Sequence, residues 1–389
     1  MTLLGAFCIR KATKYKIFKY IYYIISAIFF FYFLYYWNTS FGGVWDNHRQ
    51  FYFGLFLSWL VFTTILGIYV ILELIGRVLC IPFRLKKETK MPSRRQFLSL
   101  IGLGIAAIPF AGMLYGMIKG KYNYRVVKHT LFFDNLPSVF DGYRIVHISD
   151  IHSGSFDNAE KVQYGIDMIN ALKADAIFFT GDLVNNKASE IEEWKGHFGQ
   201  LRAKDGVFSV LGNHDYGDYV QWNTPQEKEE NLETLKKIQR EMGFHLLTNE
   251  TAYISRDGYR IAVVGVENWG EDFIKKGDLD EAMKGVPAND FKILLSHDPT
   301  HFQQKVISYP VAIPLTLSGH THGMQFGIEI PGVIEWSPAS WRYKYWGGMY
   351  EVNGKYINVN RGFGYLAFPG RVGMPPEITL IELKQKEKE

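Results

Sequence analysis

Cysteine is nearly absent from this chain: there are two in 389 residues, Cys8 and Cys80. From residue 122 onward there is none, which excludes disulfide staples and thiolate chemistry there and leaves that part compatible with any redox compartment. Acidic residues are scarce in the N-terminal part, where residues 1–121 hold 3 Asp+Glu against 15 Lys+Arg. Residues 122–389 hold 36 acidic and 28 basic residues, so the formal net charge of +4 hides a basic N-terminal part and an acidic C-terminal one. An acidic surface argues against nucleic acid as a partner of the C-terminal part, because phosphate backbones need basic side chains. Internal repeats are also lacking. The length suffices for a membrane region followed by a folded domain, divided here at 1–121 and 122–389.

What fills the N-terminal part is apolar. Three runs, at about 20–37, 51–74 and 97–118, approach the ~20 residues that a helix needs to cross a bilayer. The first run, "YIYYIISAIFFFYFLYYW", has no charge and ends in Tyr and Trp, as an interfacial belt does. Glu73 and Arg77, near the end of the second, are expected to reach the headgroup region. The alternative is three buried helices of a soluble protein. Basic residues flank the runs unevenly: Arg10, Lys11, Lys14, Lys16 and Lys19 before the first, Arg49 between first and second. Between second and third come Arg84, Lys86, Lys87, Lys90, Arg94 and Arg95. Positive loops stay in the cytoplasm, so the N-terminus is expected inside and the C-terminal domain outside. "SRRQFL" (93–98) resembles a twin-arginine export signal, which would make the twin-arginine export machinery a partner; ordinary positive-inside residues are the other reading. Ala106, Ala107 and Ala111 offer no convincing cleavage site, so the third span is expected to be retained.

From about Tyr124 the pattern is that of an α/β domain. Short apolar, β-branched runs at 143–149, 175–182, 206–215, 259–268, 291–299 and 311–323 read as strands. Residues 157–174 carry Val162, Ile166, Ile169 and Leu172 at helical spacing, with Asp157 as N-cap. Charged helices are expected near 189–203 and 225–242, a hairpin turning at Asn353-Gly354 over 350–360, and a solvated tail "KQKEKE". Strands alternating with helices, then hairpins, imply a layered fold of two packed mixed sheets flanked by helices.

Polar residues cluster where these strands end: Asp150-Ile151-His152, Gly181-Asp182, Gly212-Asn213-His214-Asp215, Ser296-His297-Asp298 and Gly319-His320-Thr321-His322. Strand ends on one side of a layered sheet converge, so groups remote in sequence can meet. In "LSGHTHGMQ" (317–325), residues i and i+2 of an extended segment face one side. His320 and His322 can then hold one cation or two neighbouring ones, with Gly319 and Gly323 permitting close approach and a sharp turn. A polar turn is the bland alternative. Carboxylates, imidazoles and one amide suit Mn, Fe or Zn better than Mg, and they are too many for one ion.

Five such blocks in this order, D-x-H, G-D, G-N-H-D, a lone His and G-H-x-H, resemble the calcineurin-like metallophosphoesterase family, over roughly 140–383. The tethered arrangement is similar to its membrane-anchored bacterial branch. The resemblance implies a metal-dependent phosphohydrolase acting on phosphomonoesters or phosphodiesters. Asp150, His152 and His322 would bind one metal, Asn213, His297 and His320 the second, and Asp182 would bridge them. The pair would sit about 3.5–4 Å apart and acidify a bridging water to make the nucleophile. His214 would protonate the leaving oxygen, with Asp215 orienting its ring. For any one of these residues alone, a helix cap or a satisfied polar core group is the competing reading.

Other features fit no block. His147 lies inside a strand and reads as structural; His48, His129, His197, His245 and His301 match nothing in the pattern. Arg361 is a candidate for bidentate contact with substrate phosphate, or a surface arginine in a turn. The Trp- and Tyr-rich stretch 334–350 packs a sheet, rests on the membrane or lines a lipid groove. A phosphoester is the implied substrate, either soluble or lipid-linked. Two other functions are consistent with the blocks: a pyrophosphatase of the UDP-diacylglucosamine hydrolase type, which outward topology disfavours, and a catalytically silent phosphate-ligand sensor.

Overall fold

The computed structural model describes residues 1–39, 46–79, 92–330 and 333–386. Cys80 and the basic stretch 84–90 lie outside the described residues. The chain forms two units, a helical one ending at Ile118 and an α/β one beginning at Lys119.

The helical unit contains α1 (Thr2–Ala12), α2 (Lys16–Thr39), α3 (Asn47–Leu79) and α4 (Pro92–Ile118). The last three are long and apolar enough to cross a membrane. The first two of these overrun the expected spans at both ends and the third only at its start, because polar flanking residues can extend a helix. Arg77 pairs with Glu73 one turn earlier. Some aromatic residues pack between helices, as in the stacked Phe33–Phe56 pair at 4.4 Å, while others such as Phe31 and Tyr35 are exposed, and Trp59 Nε1 donates to Ser26 Oγ at 3.0 Å. The short helix α1 was not legible as a span. It buries Ala6, Cys8 and Ile9 within this unit while exposing Leu3.

The α/β unit has two six-stranded mixed sheets, as the alternation of runs implied. The first joins β1 (Arg125–Phe133), β2 (Tyr143–Ile148), β3 (Ala176–Phe179), β4 (Val207–Ser209), β5 (Phe244–Leu246) and the late β14 (Glu377–Gln385), in the order β1-β14-β2-β3-β4-β5. The second joins β6 (Glu250–Arg256), β7 (Tyr259–Gly265), β8 (Phe291–Leu295), β9 (Leu315–Ser318), β12 (Gly348–Val352) and β13 (Lys355–Val359), in the order β12-β13-β9-β8-β7-β6. A separate hairpin pairs β10 (Ile328–Ile330) with β11 (Ile334–Trp336).

Strands β2, β3 and β4 are parallel and buried on both faces, which is why they read as continuous apolar runs rather than alternating ones. In β2, Ile145 faces the second sheet, whereas Val146 and Ile148 face the layer of helices. That layer includes α5 (Ala159–Ala171), α6 (Lys195–Phe198) and α7 (Pro225–Glu241). The β12–β13 turn at Asn353 and Gly354 has φ of 52° and 74°, the left-handed pair that matches strand twist.

Local readings needed four corrections. Asn158, not Asp157, caps α5 by accepting from the Lys161 N–H; Asp157 instead binds Lys121 and Tyr122. The charged stretch 189–203 makes only short turns and the single-turn α6, because Gly196 and Gly199 weaken a longer helix. The strand expected at 206–215 stops at Ser209, and the remainder becomes loop. Lys384 and Gln385, expected in a solvated tail, finish β14 through pairing with β1.

Candidate metal centre and active site

Every block leaves the carboxyl end of a strand. Asp150 and His152 follow β2, Asp182 follows β3, Asn213 and His214 follow β4, His297 follows β8, and His320 and His322 follow β9. The two sheets pack face to face, so these loops meet at one edge of the sandwich. The backbone is unusual there. Asp150, His152, Asp182, His320 and His322 have φ of 51°, 49°, 60°, 71° and 51°. Left-handed φ at a non-glycine residue costs about 1–3 kcal/mol, and such residues concentrate at functional sites. Glycines give the neighbouring loops room. A Cβ on Gly319 would lie 1.7 Å from Ser149 Oγ and 2.3 Å from an Asp150 oxygen, and one on Gly212 would lie 2.2 Å from Asp182 Oδ1.

Two donor groups result. Asp150, His152 and His322 form one, Asp182, His297 and His320 the other, each with ligand atoms within 4.8 Å of one another. His322 Nε2 is 3.3 Å from Asp150 Oδ1. Asn213 Oδ1 joins the second group, 3.1 Å from His297 Nε2 and 2.8 Å from His320 Nδ1. Asp182 Oδ2 lies between the groups, 3.5 Å from His152 Nε2 and 3.1 Å from His297 Nε2. The imidazoles are held from behind. His297 Nδ1 faces the Thr180 carbonyl at 2.7 Å, and His152 Nδ1 faces Asn185 Oδ1 at 3.1 Å. With Nδ1 held by these acceptors, Nε2 is the nitrogen of each ring that faces the centre.

This donor set fits divalent metal. His152 Nε2 and His322 Nε2 are buried with no hydrogen-bond partner, although an uncompensated buried polar atom is costly. Burial alone would lower the His297 pKa, but the Asp182 and Asp150 carboxylates more than offset it and raise it to about 10. The buried carboxylates therefore draw positive charge into the centre. Burial also keeps His152 well below its ordinary value, hence neutral and able to coordinate.

His214 lies beside these groups. Its backbone N–H donates to Asp182 Oδ1 at 2.9 Å, and its Nδ1 meets the Asn185 carbonyl at 2.8 Å. Asp215 does not orient this ring. Its carboxylate accepts the backbone N–H groups of Asp182, Leu183, Val184 and Gly212, tying two ligand loops together. Burial and the nearby Asp182 charge raise the Asp215 pKa to about 7. Arg361 is buried against Glu377 and Glu335 and is not among the residues lining the cavity. Its expected contact with substrate phosphate therefore has no support here, because both terminal nitrogens face carboxylates. His147 is buried between Asn358 and Thr180, a core histidine.

A cavity of about 240 Å³ opens over the centre, lined by His152, Asp182, His214, His320 and His322 with an apolar and aromatic rim. Sequence reasoning missed the rim residues Tyr219 and Phe273, which stand in no motif, whereas Arg342 and Tyr343 belong to the stretch 334–350, one reading of which was a groove lining. It also missed Asn185, three residues beyond Asp182, and Arg371, whose Nη2 is 3.1 Å from His322 Nδ1. Asp298 was seen beside His297 but given no role; its Oδ2 is 3.4 Å from His320 Nε2.

The family described as "Calcineurin-like phosphoesterase" matches residues 143–324, and "Probable Calcineurin-like phosphoesterase, transmembrane domain" matches residues 2–121. A Bacillus subtilis metallophosphoesterase, YkuE, is 31% identical over 305 residues, 76% of this chain and 99% of that protein. The chain belongs to the calcineurin-like metallophosphoesterase family. This metallophosphoesterase is also 28% identical to a zebrafish (Danio rerio) transmembrane protein with metallophosphoesterase domain, over 82% of this chain and 72% of that one. A metallophosphoesterase of Aquifex aeolicus is 28% identical, over 70% of this chain and 99% of its own. The chain is thus a phosphoesterase hydrolase with a transmembrane domain, a membrane protein with residue groups suited to metal.

Proposed function

We propose that this membrane metallophosphoesterase hydrolyses phosphoesters at a dinuclear centre facing away from the cytoplasm. Asp150, His152 and His322 would hold one metal and Asn213, His297 and His320 the other, with Asp182 shared. The observation that carries the reading is the position of Asp182 Oδ2, 3.5 Å from a nitrogen of the first group and 3.1 Å from one of the second. The mixed nitrogen and oxygen donors favour Mn, Fe or Zn. Bound metals would supply Lewis acidity to the phosphoryl oxygens and to an attacking water.

The chain's own groups do the rest. His214 Nδ1–H is held by the Asn185 carbonyl, so Nε2 is the atom that can pass a proton to the leaving oxygen. Burial lowers the His214 pKa, which makes its protonated form a stronger acid. Arg342 stands at the cavity wall as the candidate cation for the phosphate, with Nη2 3.0 Å from Asp272 Oδ2 in an exposed ion pair that solvent screens, unlike the buried pairs of Arg361. Phe273, Met324 and Leu366 give the cavity an apolar side, which supports a substrate with apolar substance next to its phosphate, such as a lipid-linked phosphoester. The outward orientation rests on the charge pattern around the apolar helices, use of the twin-arginine machinery on the Arg94-Arg95 pair before the third, and the bacterial inner membrane on the likeness to bacterial relatives.

The test is elemental analysis of the purified full chain together with turnover of aryl phosphate esters. About two metals per chain and loss of activity on chelation are expected. Asp182→Asn should empty both sites together. Loss of a single ion from that variant would remove the bridging role.

A further inference from the structure

The hairpin β10–β11 has two unlike faces. Ile328 pairs with Trp336 and Ile330 with Ile334, and all four side chains are exposed. Strand alternation puts Glu329 and Glu335 on the opposite face, directly across from one another. Two facing carboxylates repel, so the pair needs a cation. Arg361 supplies it, pairing with Glu335 and lying 4.0 Å from Glu329, and Arg125 Nη1 meets Glu329 at 2.8 Å. These ion pairs hold the acidic face against the domain and turn the apolar face outward. Trp341 extends that face: it is 79% exposed, and its ring lies 5.6 Å from that of Trp336.

We propose that this apolar face is a bilayer contact of the protein's own membrane. Exposed isoleucine and tryptophan on a rigid scaffold suit the boundary between headgroups and acyl chains, where the indole keeps its N–H wet. A contiguous apolar patch in water is otherwise a liability. The chain itself keeps a bilayer near. The last apolar helix ends at Ile118 and β1 begins at Arg125, the residue that grips the hairpin. Whatever the orientation of the two units, this linker spans at most roughly 25 Å when fully extended. The face also continues to the cavity, since Arg342 follows Trp341 and Met324 precedes Ile328 by four residues, and both line the cavity. Seating the hairpin would bring the cavity mouth to the headgroup layer. The contact is independent of the metals.

The test is nitroxide accessibility in the full chain with Cys8→Ala and Cys80→Ala, reconstituted in nanodiscs of phosphatidylcholine and phosphatidylglycerol. Labels are placed at Ile330→Cys, at Trp341→Cys and, as an aqueous control, at Lys237→Cys, whose native side chain is 76% exposed. The first two should show an oxygen-to-nickel-chelate accessibility ratio several-fold above the control. A ratio equal to the control would place the hairpin in water and overturn the proposal. Protection from both oxygen and nickel would mean that protein covers the face, which overturns it equally. Trp341→Cys lies outside the hairpin, so it reports even if the Ile330 substitution disturbs the strand pair.

Discussion

His214 and His147 show how one residue type serves two ends within the same core. His214 has one nitrogen committed to a carbonyl and its ring on a cavity. His214→Ala is expected to keep the metal content and lower turnover, more for alkyl than for nitrophenyl leaving groups, because a basic leaving oxygen needs the proton most. Equal losses for both esters would point to phosphate binding instead. His147 has both nitrogens bonded inside the core, and burial lowers its pKa to about 4. Its effect on stability has a definite sign. The folded pKa lies below the unfolded value of 6.5, so the unfolded chain takes up the proton first. Stability is intact above about pH 6.5 and falls as the pH drops toward 4, by roughly 3 kcal/mol in all. Thermal denaturation of native protein and His147→Gln across that range should show a shallower slope in the variant, even if it melts lower throughout. His301, buried and also lowered to about 4, should leave part of the slope in place.

At the scale of elements, the strands are short and the loops carry the chemistry. The run at 206–215 is apolar at its start and polar at its end; the chain stops pairing at Ser209 and the rest bends to deliver Asn213. A one-dimensional pattern cannot place that bend, because it follows from Asp215 accepting four backbone N–H groups across two loops. The spacing of loops against each other is equally tight. Gly319→Ala would drive a methyl into Ser149 and Asp150, so we expect a loss of about 1–3 kcal/mol and weaker metal retention. Gly196→Ala in α6 meets nothing within 4 Å and should cost nothing, with a gain of up to about 1 kcal/mol from helix propensity. Comparing the two melting temperatures and metal contents checks the argument; equal behaviour would show that the loop yields without harm.

For the whole molecule, the decisive quantity is the distribution of charge along the chain. Five basic residues precede the apolar run at 20–37, one lies between it and the run at 51–74, and six lie at 84–95, before the run at 97–118. Local excess of this kind sets orientation. A reporter fused after Glu389 should read as extracytoplasmic and one inserted at 84–90 as cytoplasmic; a cytoplasmic reading at the C-terminus would overturn the proposed sidedness. Arg94→Lys with Arg95→Lys preserves the charge but removes the guanidinium pair. If the twin-arginine machinery carries the domain across, this variant should leave it inside. Normal export of the variant would remove the signal and keep the orientation.

The sequence by itself determined what needs only local order. Apolar runs of bilayer length determined the helices, two-face burial determined the parallel strands, and the D-x-H to G-H-x-H blocks named every residue of the two donor groups. These features are written in neighbouring residues and survive without knowledge of the fold. Tertiary structure decided what depends on distant partners. Asp215 and His214 are adjacent in sequence, yet the ring is held by Asn185, which lies 29 positions away. Arg361 follows a strand end as a ligand would, but three carboxylates from β10, β11 and β14 claim it. The cavity rim joins Tyr219, Phe273 and Leu366, which stand in no motif, to Arg342 and Tyr343, because a surface is selected by shape and exposure, and these arise only when separate loops are brought side by side.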